Sequence, residues 1–182
     1  MTRIIAGRYG GRRIQVPKGD GTRPTSDRVR EAMFSSIQSA LGGFDEDLRV
    51  LDLFAGSGAL GLEAMSRGAG FAQFVESNAR AVSVIKQNIR TLGADAAVAR
   101  MTAEKYPTID PPGAFGLIFL DPPYALGTSE VTALVASLKM WNTQSEALLV
   151  VERSSRDRFT WPDGVDALRD KTYGETTLWY GR

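Results

Sequence analysis

Val50-Leu51-Asp52-Leu53-Phe54-Ala55-Gly56-Ser57-Gly58-Ala59-Leu60-Gly61 reads as a short apolar strand, a glycine turn and the start of a helix. Buried strands of parallel sheets are near-continuous apolar runs, and closely spaced glycines allow a helix to begin directly at a strand end. The pattern then alternates. Strands are predicted at Val50–Phe54, Phe71–Glu76, Ala96–Arg100, Phe115–Leu120, Ala147–Glu152 and Thr177–Tyr180, and helices at Ala59–Arg67, Asn78–Leu92 and Ser129–Met140. Such alternation implies a parallel, doubly wound α/β sheet, and the closing strands, less separated by helices, suit an antiparallel edge.

Gly56-Ser57-Gly58-Ala59-Leu60-Gly61 satisfies G-x-G-x-x-G, and Glu76 stands where a ribose-binding acid would follow. A dinucleotide enzyme is therefore a rival reading, and Asp52 decides against it. A carboxylate at the strand end would repel a pyrophosphate, whereas S-adenosylmethionine presents an ammonium and a sulfonium there. Opposite charges about 4 Å apart, at an effective dielectric of about 20, attract by roughly 4 kcal/mol before desolvation. Glu76 can accept from both ribose hydroxyls of either cofactor and does not discriminate. No Gly-Lys-Ser/Thr follows, which excludes a nucleotide P-loop, and 182 residues leave no room for a dehydrogenase's substrate domain. Asp52, Ala55, Gly56, Ser57, Gly58 and Glu76 form the expected cofactor set.

The second informative stretch is Asp121-Pro122-Pro123-Tyr124, which closes the apolar run Leu117-Ile118-Phe119-Leu120. Two prolines stiffen the loop and remove two backbone donors. Asp121 and the Pro122 carbonyl remain as acceptors and Tyr124 as a flat face, a set suited to a planar group bearing an exocyclic amine, such as a nucleobase. A tight turn with an exposed tyrosine is the plain alternative.

The chain lacks cysteine and histidine. That excludes disulfides, thiolate nucleophiles, cysteine/histidine zinc sites, Ser-His-Asp triads and imidazole bases. Any catalysis rests on positioning, carboxylates and backbone dipoles, without metal. Net charge is +1 but uneven: residues 1–30 carry +6 and the remainder −5. A basic arm on a mildly acidic body suggests a polyanionic partner, with nucleic acid the expected one. Arg3–Gly7 and Arg12–Pro17, around Gly10-Gly11, predict a hairpin, and Gly19–Pro24 a loop. Thr25 or Ser26 would cap a helix carrying Val29, Met33, Ile37 and Leu41 at helical spacing, ended by Gly42-Gly43. Asn88 and Phe54 read as packing or helix-face residues. No segment has the length of a membrane span, and a cytoplasmic location is expected.

Together, Asp52-x-Phe54-x-Gly56-x-Gly58 and Asp121-Pro122-Pro123-Tyr124 resemble the S-adenosylmethionine-dependent methyltransferases that modify exocyclic amines of bases. The resemblance narrows over Arg3-Ile-Ile-Ala-Gly, Gly11-Arg-Arg-Ile, Arg23-Pro24-Thr25-Ser26-Asp27-Arg28-Val29-Arg30-Glu31-Ala32-Met33-Phe34 and Asp52 through Ala69. These segments resemble the RsmD family, bacterial 16S ribosomal RNA guanine-N2 methyltransferases. The likeness covers most of the chain and departs at Ala99–Ala103, which lacks the acid that holds adenine in many relatives.

The resemblance implies a Rossmann-like, seven-stranded, mostly parallel sheet over residues 25–182, with a small basic β-hairpin extension over residues 1–24. It implies methyl transfer to N2 of one guanine, equivalent to guanine 966, on Asp121, Pro122, Pro123 and Tyr124. The implied partner is 16S rRNA, in the small subunit or an assembly intermediate, and nothing calls for more than a monomer. Thr25 is assigned to the cofactor, and Arg8, Arg12, Arg13, Arg23 and Arg28 to the RNA. The rivals are a DNA adenine-N6 or cytosine-N4 methyltransferase and a non-catalytic RNA-binding assembly factor.

Overall fold

In the computed structural model, which describes residues 2–18, 26–109, 113–141 and 143–182, the chain forms two sheets and four α-helices. β1 (Thr2–Arg3) and β2 (Arg13–Ile14) pair antiparallel at the N-terminus. After them come α1 (Asp27–Leu41), β3 (Arg49–Asp52), α2 (Ala59–Arg67), β4 (Phe71–Val75), α3 (Ala79–Leu92) and β5 (Ala96–Ala99). A 3-10 turn over Ala103–Thr108 leads to β6 (Phe115–Leu120), α4 (Thr128–Trp141), β7 (Thr143–Ser154), β8 (Ala167–Tyr173) and β9 (Thr176–Gly181).

The main sheet runs β5-β4-β3-β6-β7-β9-β8. β3 through β7 are parallel, while β9 is antiparallel to both β7 and β8. The Rossmann-like, seven-stranded, mostly parallel sheet implied by the resemblance is therefore present. From β3 the chain steps outward to β4 and β5, then returns to the other side of β3 as β6. That reversal opens a crevice outside the carboxyl ends of β3 and β6, the usual ligand position in open α/β sheets.

Alternating side chains divide the core between the two sheet faces. Val50, Phe74, Leu117, Phe119 and Val150 pack with α1, α2, α3 and the N-terminal arm. Leu51, Val75, Ile118, Leu120 and Val151 pack with α4 and the 3-10 turn. α1 begins where Ser26 accepts the Val29 N–H at 3.3 Å and ends at Gly42 in the left-handed region, φ 75°. Met33 and Ile37 of its predicted stripe are fully buried, and Val29 and Leu41 pack at the margin.

Three expectations change. The predicted hairpin strands shorten to two residues each, although Ile4 N–H to Arg12 O and Gly11 N–H to Ile4 O continue the link between the two arms. Most of the arm's other backbone donors go to α2. Ile5 and Ala6 N–H reach the buried Glu63 carboxylate at 2.7 and 3.1 Å, Arg8 N–H reaches Ser66 O at 2.7 Å, and Tyr9 N–H reaches Ser66 Oγ at 2.9 Å. A Cβ on Gly7 would lie 1.9 Å from Ser66 O, so only glycine admits this approach. Ile4, Tyr9 and Ile14 thereby join the core of the body. Second, β8 was not foreseen: Ala-Leu-Arg-Asp-Lys-Thr-Tyr is almost wholly exposed, and an edge strand with two wet faces shows no alternation. Third, β7 extends beyond the predicted Ala147–Glu152 at both ends.

Glu63 also accepts from Arg67 Nε at 2.8 Å, so one buried carboxylate serves three donors. Glu63→Ala leaves all three without it. Urea denaturation is expected to show a loss of about 3 kcal/mol, against about 0.5 kcal/mol or less for the exposed Glu31→Ala.

Candidate active site at the carboxyl edge of the sheet

Asp52 is the last residue of β3 and pairs in register with Phe74 of β4 and Phe119 of β6. Glu76 and Asp121 each lie two residues beyond those partners. Leu120 pairs with Val151, so Asp121 stands beside Glu152 of β7. By alternation, Glu76, Asp52, Asp121 and Glu152 project from four adjacent strands toward one sheet face. The charge of Glu76 on Asp52, and those of Glu152 and Asp52 on Asp121, add to the cost of ionising these two acids.

The glycine loop occupies the turn between β3 and α2. Gly56 and Gly58 take φ 55° and 81°, and Gly58 caps α2. Gly61 has a different task, because a Cβ there would stand 2.4 Å from the Phe74 ring. It lets α2 press onto β4. Ala55 is buried, and Gly56 and Ser57 are half-buried. Glu76 accepts the Gly56 N–H at 2.9 Å through Oε2 and the Asn78 N–H at 2.7 Å through Oε1. It therefore fixes the loop while each oxygen keeps capacity for a further donor.

Asp52 is only 1% exposed. Its Oδ2 accepts the Gly61 N–H at 3.2 Å, and Oδ1 is buried with no hydrogen-bond partner. Burial, reinforced by the charge of Glu76 and opposed by the Gly61 bond, pushes its carboxyl up to about 7. A buried acid with one unsatisfied oxygen at the switch point calls for a cationic complement. S-adenosylmethionine, with its cationic sulfur and ammonium, is a group of that kind.

The Asp121-Pro122-Pro123-Tyr124 loop leaves the end of β6 next to this set. Asp121 is half-buried, Pro122 buried and Pro123 exposed. Tyr124 is 54% exposed, with its hydroxyl 3.3 Å from Thr176 Oγ1 at the start of β9. Burial first, then the charges of Glu152 and Asp52, raise the Asp121 carboxyl well above the usual carboxylate range against the opposing pull of Arg153. Arg153 is 1% exposed and ties the following segment, donating to Leu126 O at 2.8 Å and pairing with Asp157 at 2.8 Å.

Asp52, the glycine loop Ala55–Gly58, Glu76 and the Asp121–Tyr124 loop thus meet at the carboxyl edge of the sheet. Arg8, Arg12, Arg13 and Arg28 are exposed on the arm and α1. Thr25 and Arg23 lie outside the described residues. Two contributors were missed. Glu152 was visible as the acidic end of a predicted strand, but its proximity to Asp121 needed the register. Asn88 is no passive helix-face residue. It is 2% exposed, donates from Nδ2 to Ser57 O and Gln15 O, and accepts the Gln15 N–H, each at 2.9 Å. It ties the glycine loop to the arm.

Sheet order, acid-glycine-acid loop and amine loop together define a methyltransferase of the S-adenosylmethionine-dependent class. The family model described as conserved hypothetical protein 95 matches residues 2–182. The chain belongs to that family, the RsmD family. It is 35% identical over 175 residues to Ribosomal RNA small subunit methyltransferase D of Escherichia coli K12, covering 95% of this chain and 85% of the relative. It is 33% identical over 178 residues to the protein of the same name from Haemophilus influenzae, covering 94% and 89%. The solved structure of the Escherichia coli yhhF protein superposes with TM-score 0.84 at 34% identity, over 99% of this chain and 96% of that one. SMU.776, solved with SAH, shares the fold at TM-score 0.65 and 12% identity, over 81% of this chain and 48% of that one.

The raised Asp52 carboxyl predicts pH effects of definite sign. Between its ordinary 3.8 and about 7 the unfolded chain ionises this group freely while the folded chain resists. Its contribution to stability therefore falls as pH rises through that window. Asp52→Asn removes the penalty, so the ligand-free variant is expected to gain on wild type above pH 7, by at most about 4 kcal/mol. S-adenosylmethionine binding to wild type should tighten from pH 5.5 to 8, and in Asp52→Asn it should be weak and flat. Calorimetric titration and denaturant melts at each pH check both.

Proposed function

We propose that this protein transfers the methyl group of S-adenosylmethionine to the exocyclic N2 of one guanine of 16S rRNA, the equivalent of guanine 966. The substrate is the small subunit or an assembly intermediate. The reading rests chiefly on one observation: Asp121-Pro122-Pro123-Tyr124 stands beside Asp52 across the β3–β6 pairing at the switch point. The rRNA methyltransferase names of the relatives supply the substrate class. Residues 1–24 serve as the RNA-gripping extension of a catalytic domain over residues 25–182.

When bound, S-adenosylmethionine supplies a methyl carbon on a cationic sulfur, open to in-line displacement. The chain's own residues hold and aim the base. Delocalisation of an exocyclic amine's lone pair into the ring leaves it poorly directed. The Asp121 carboxylate and the Pro122 carbonyl accept its two N–H groups, favouring a more tetrahedral nitrogen with its lone pair facing the methyl carbon. Tyr124 stacks on the base once it is turned out of its RNA context. With its hydroxyl near Thr176, the ring has a second anchor besides the stiff proline pair. Positioning alone can account for several kcal/mol of barrier lowering. Asp121, made basic by burial and by Glu152 and Asp52, holds the proton that N2 releases.

Radiolabelled S-adenosylmethionine and small subunits lacking the modification test this reading. Digestion should yield labelled N2-methylguanosine; label on adenine or cytosine would overturn the guanine assignment. Asp121→Ala is expected to lower transfer about 100-fold or more with cofactor binding retained. Undiminished transfer in that variant would remove the loop from the mechanism.

A further inference from the structure

We propose that the exposed face of α3, carrying Arg80, Lys86 and Arg90, joins the N-terminal arm in one continuous surface that binds the RNA phosphate backbone. The proposal rests on the rRNA reading above and extends the footprint from the arm to a helix that neither the sequence motifs nor the relatives' names assign.

Three observations carry it. First, α3 reads Ala-Arg-Ala-Val-Ser-Val-Ile-Lys-Gln-Asn-Ile-Arg-Thr-Leu, with three cations and no acid, in a body that is net negative beyond residue 30. At 100° per residue the three cations fall within about a third of the helix circumference, and all are exposed. None makes an ion pair among the described residues. Their row spans about 15 Å along the axis.

Second, the arm lies along this helix. Arg12 Nη2 donates to Thr91 O at the carboxyl end of α3, and Gln15 is bound twice to Asn88 one turn earlier. The chain thus runs antiparallel to α3, toward its amino end, which begins next to Glu76. Arg12 is thereby held against the helix, with the exposed Arg13 next to it in the chain and Arg8 stacked over Tyr9 at 4.8 Å. The cations of the arm and those of α3 therefore lie on adjoining segments.

Third, the rest of the exposed face is Ala79, Ser83, Gln87 and Thr91, with no large apolar side chain. A protein interface would need an apolar centre, and this face has none. Closely spaced cations set among hydroxyl and amide groups match a phosphate backbone, which gains affinity by displacing condensed counterions.

The test is the salt dependence of 16S rRNA binding. Lys86→Gln/Arg90→Gln removes two cations that touch neither the glycine loop nor the amine loop. As a control, Arg158→Gln/Lys171→Gln removes two exposed cations elsewhere on the molecule. Melting curves and cofactor titration should match wild type for both pairs. Filter binding from 50 to 300 mM salt should show the slope of log K against log salt reduced by about 2 for the α3 pair and unchanged for the control. In transfer assays the α3 pair should raise KM for RNA with kcat unchanged. An unaltered slope, or equal loss in both pairs, overturns the proposal while leaving the rRNA reading intact. Salt-independent binding by wild type overturns both.

Discussion

Parallel pairing of β3 with β6 is the constraint on which the site depends. Because these strands neighbour each other but are separated in the chain by three crossover connections, their carboxyl ends diverge into a crevice. Asp52 and Asp121, nearly seventy residues apart in sequence, become neighbours only through that register. Slipping it by one residue would turn every side chain of one strand to the opposite face and remove its acid from the crevice.

Electrostatic cost follows from the same geometry. Glu76, Asp52, Asp121 and Glu152 are brought to one edge, and burial first, then the neighbouring charges, raise the Asp52 and Asp121 carboxyls. A cationic cofactor relieves some of that cost, so the edge is built to be less stable empty than filled.

Most of the sheet and both halves of the site were legible because buried strands and glycine turns leave strong local signals. Val50–Phe54 and Phe115–Leu120 could be read from their apolar runs, and Asp52 and Asp121 from the ends of those runs. β8 could not, since an exposed edge strand carries no periodicity. Asn88 was misread for a related reason. An asparagine on the inner side of an amphipathic helix looks like tolerated packing until its partners, Ser57 and Gln15, are seen to come from two other segments. Glu152 shows the remaining limit: sequence gives a strand-end acid, but only register names its neighbour.

Docking of the arm on α2 and α3 bears on how the chain is made. Residues 5, 6 and 12 leave the ribosome well before their anchors Glu63 and Thr91, which lie 58, 57 and 79 positions later. Loop closure of that length is slow relative to local helix formation. During synthesis this basic segment is therefore undocked until α2 and α3 have emerged.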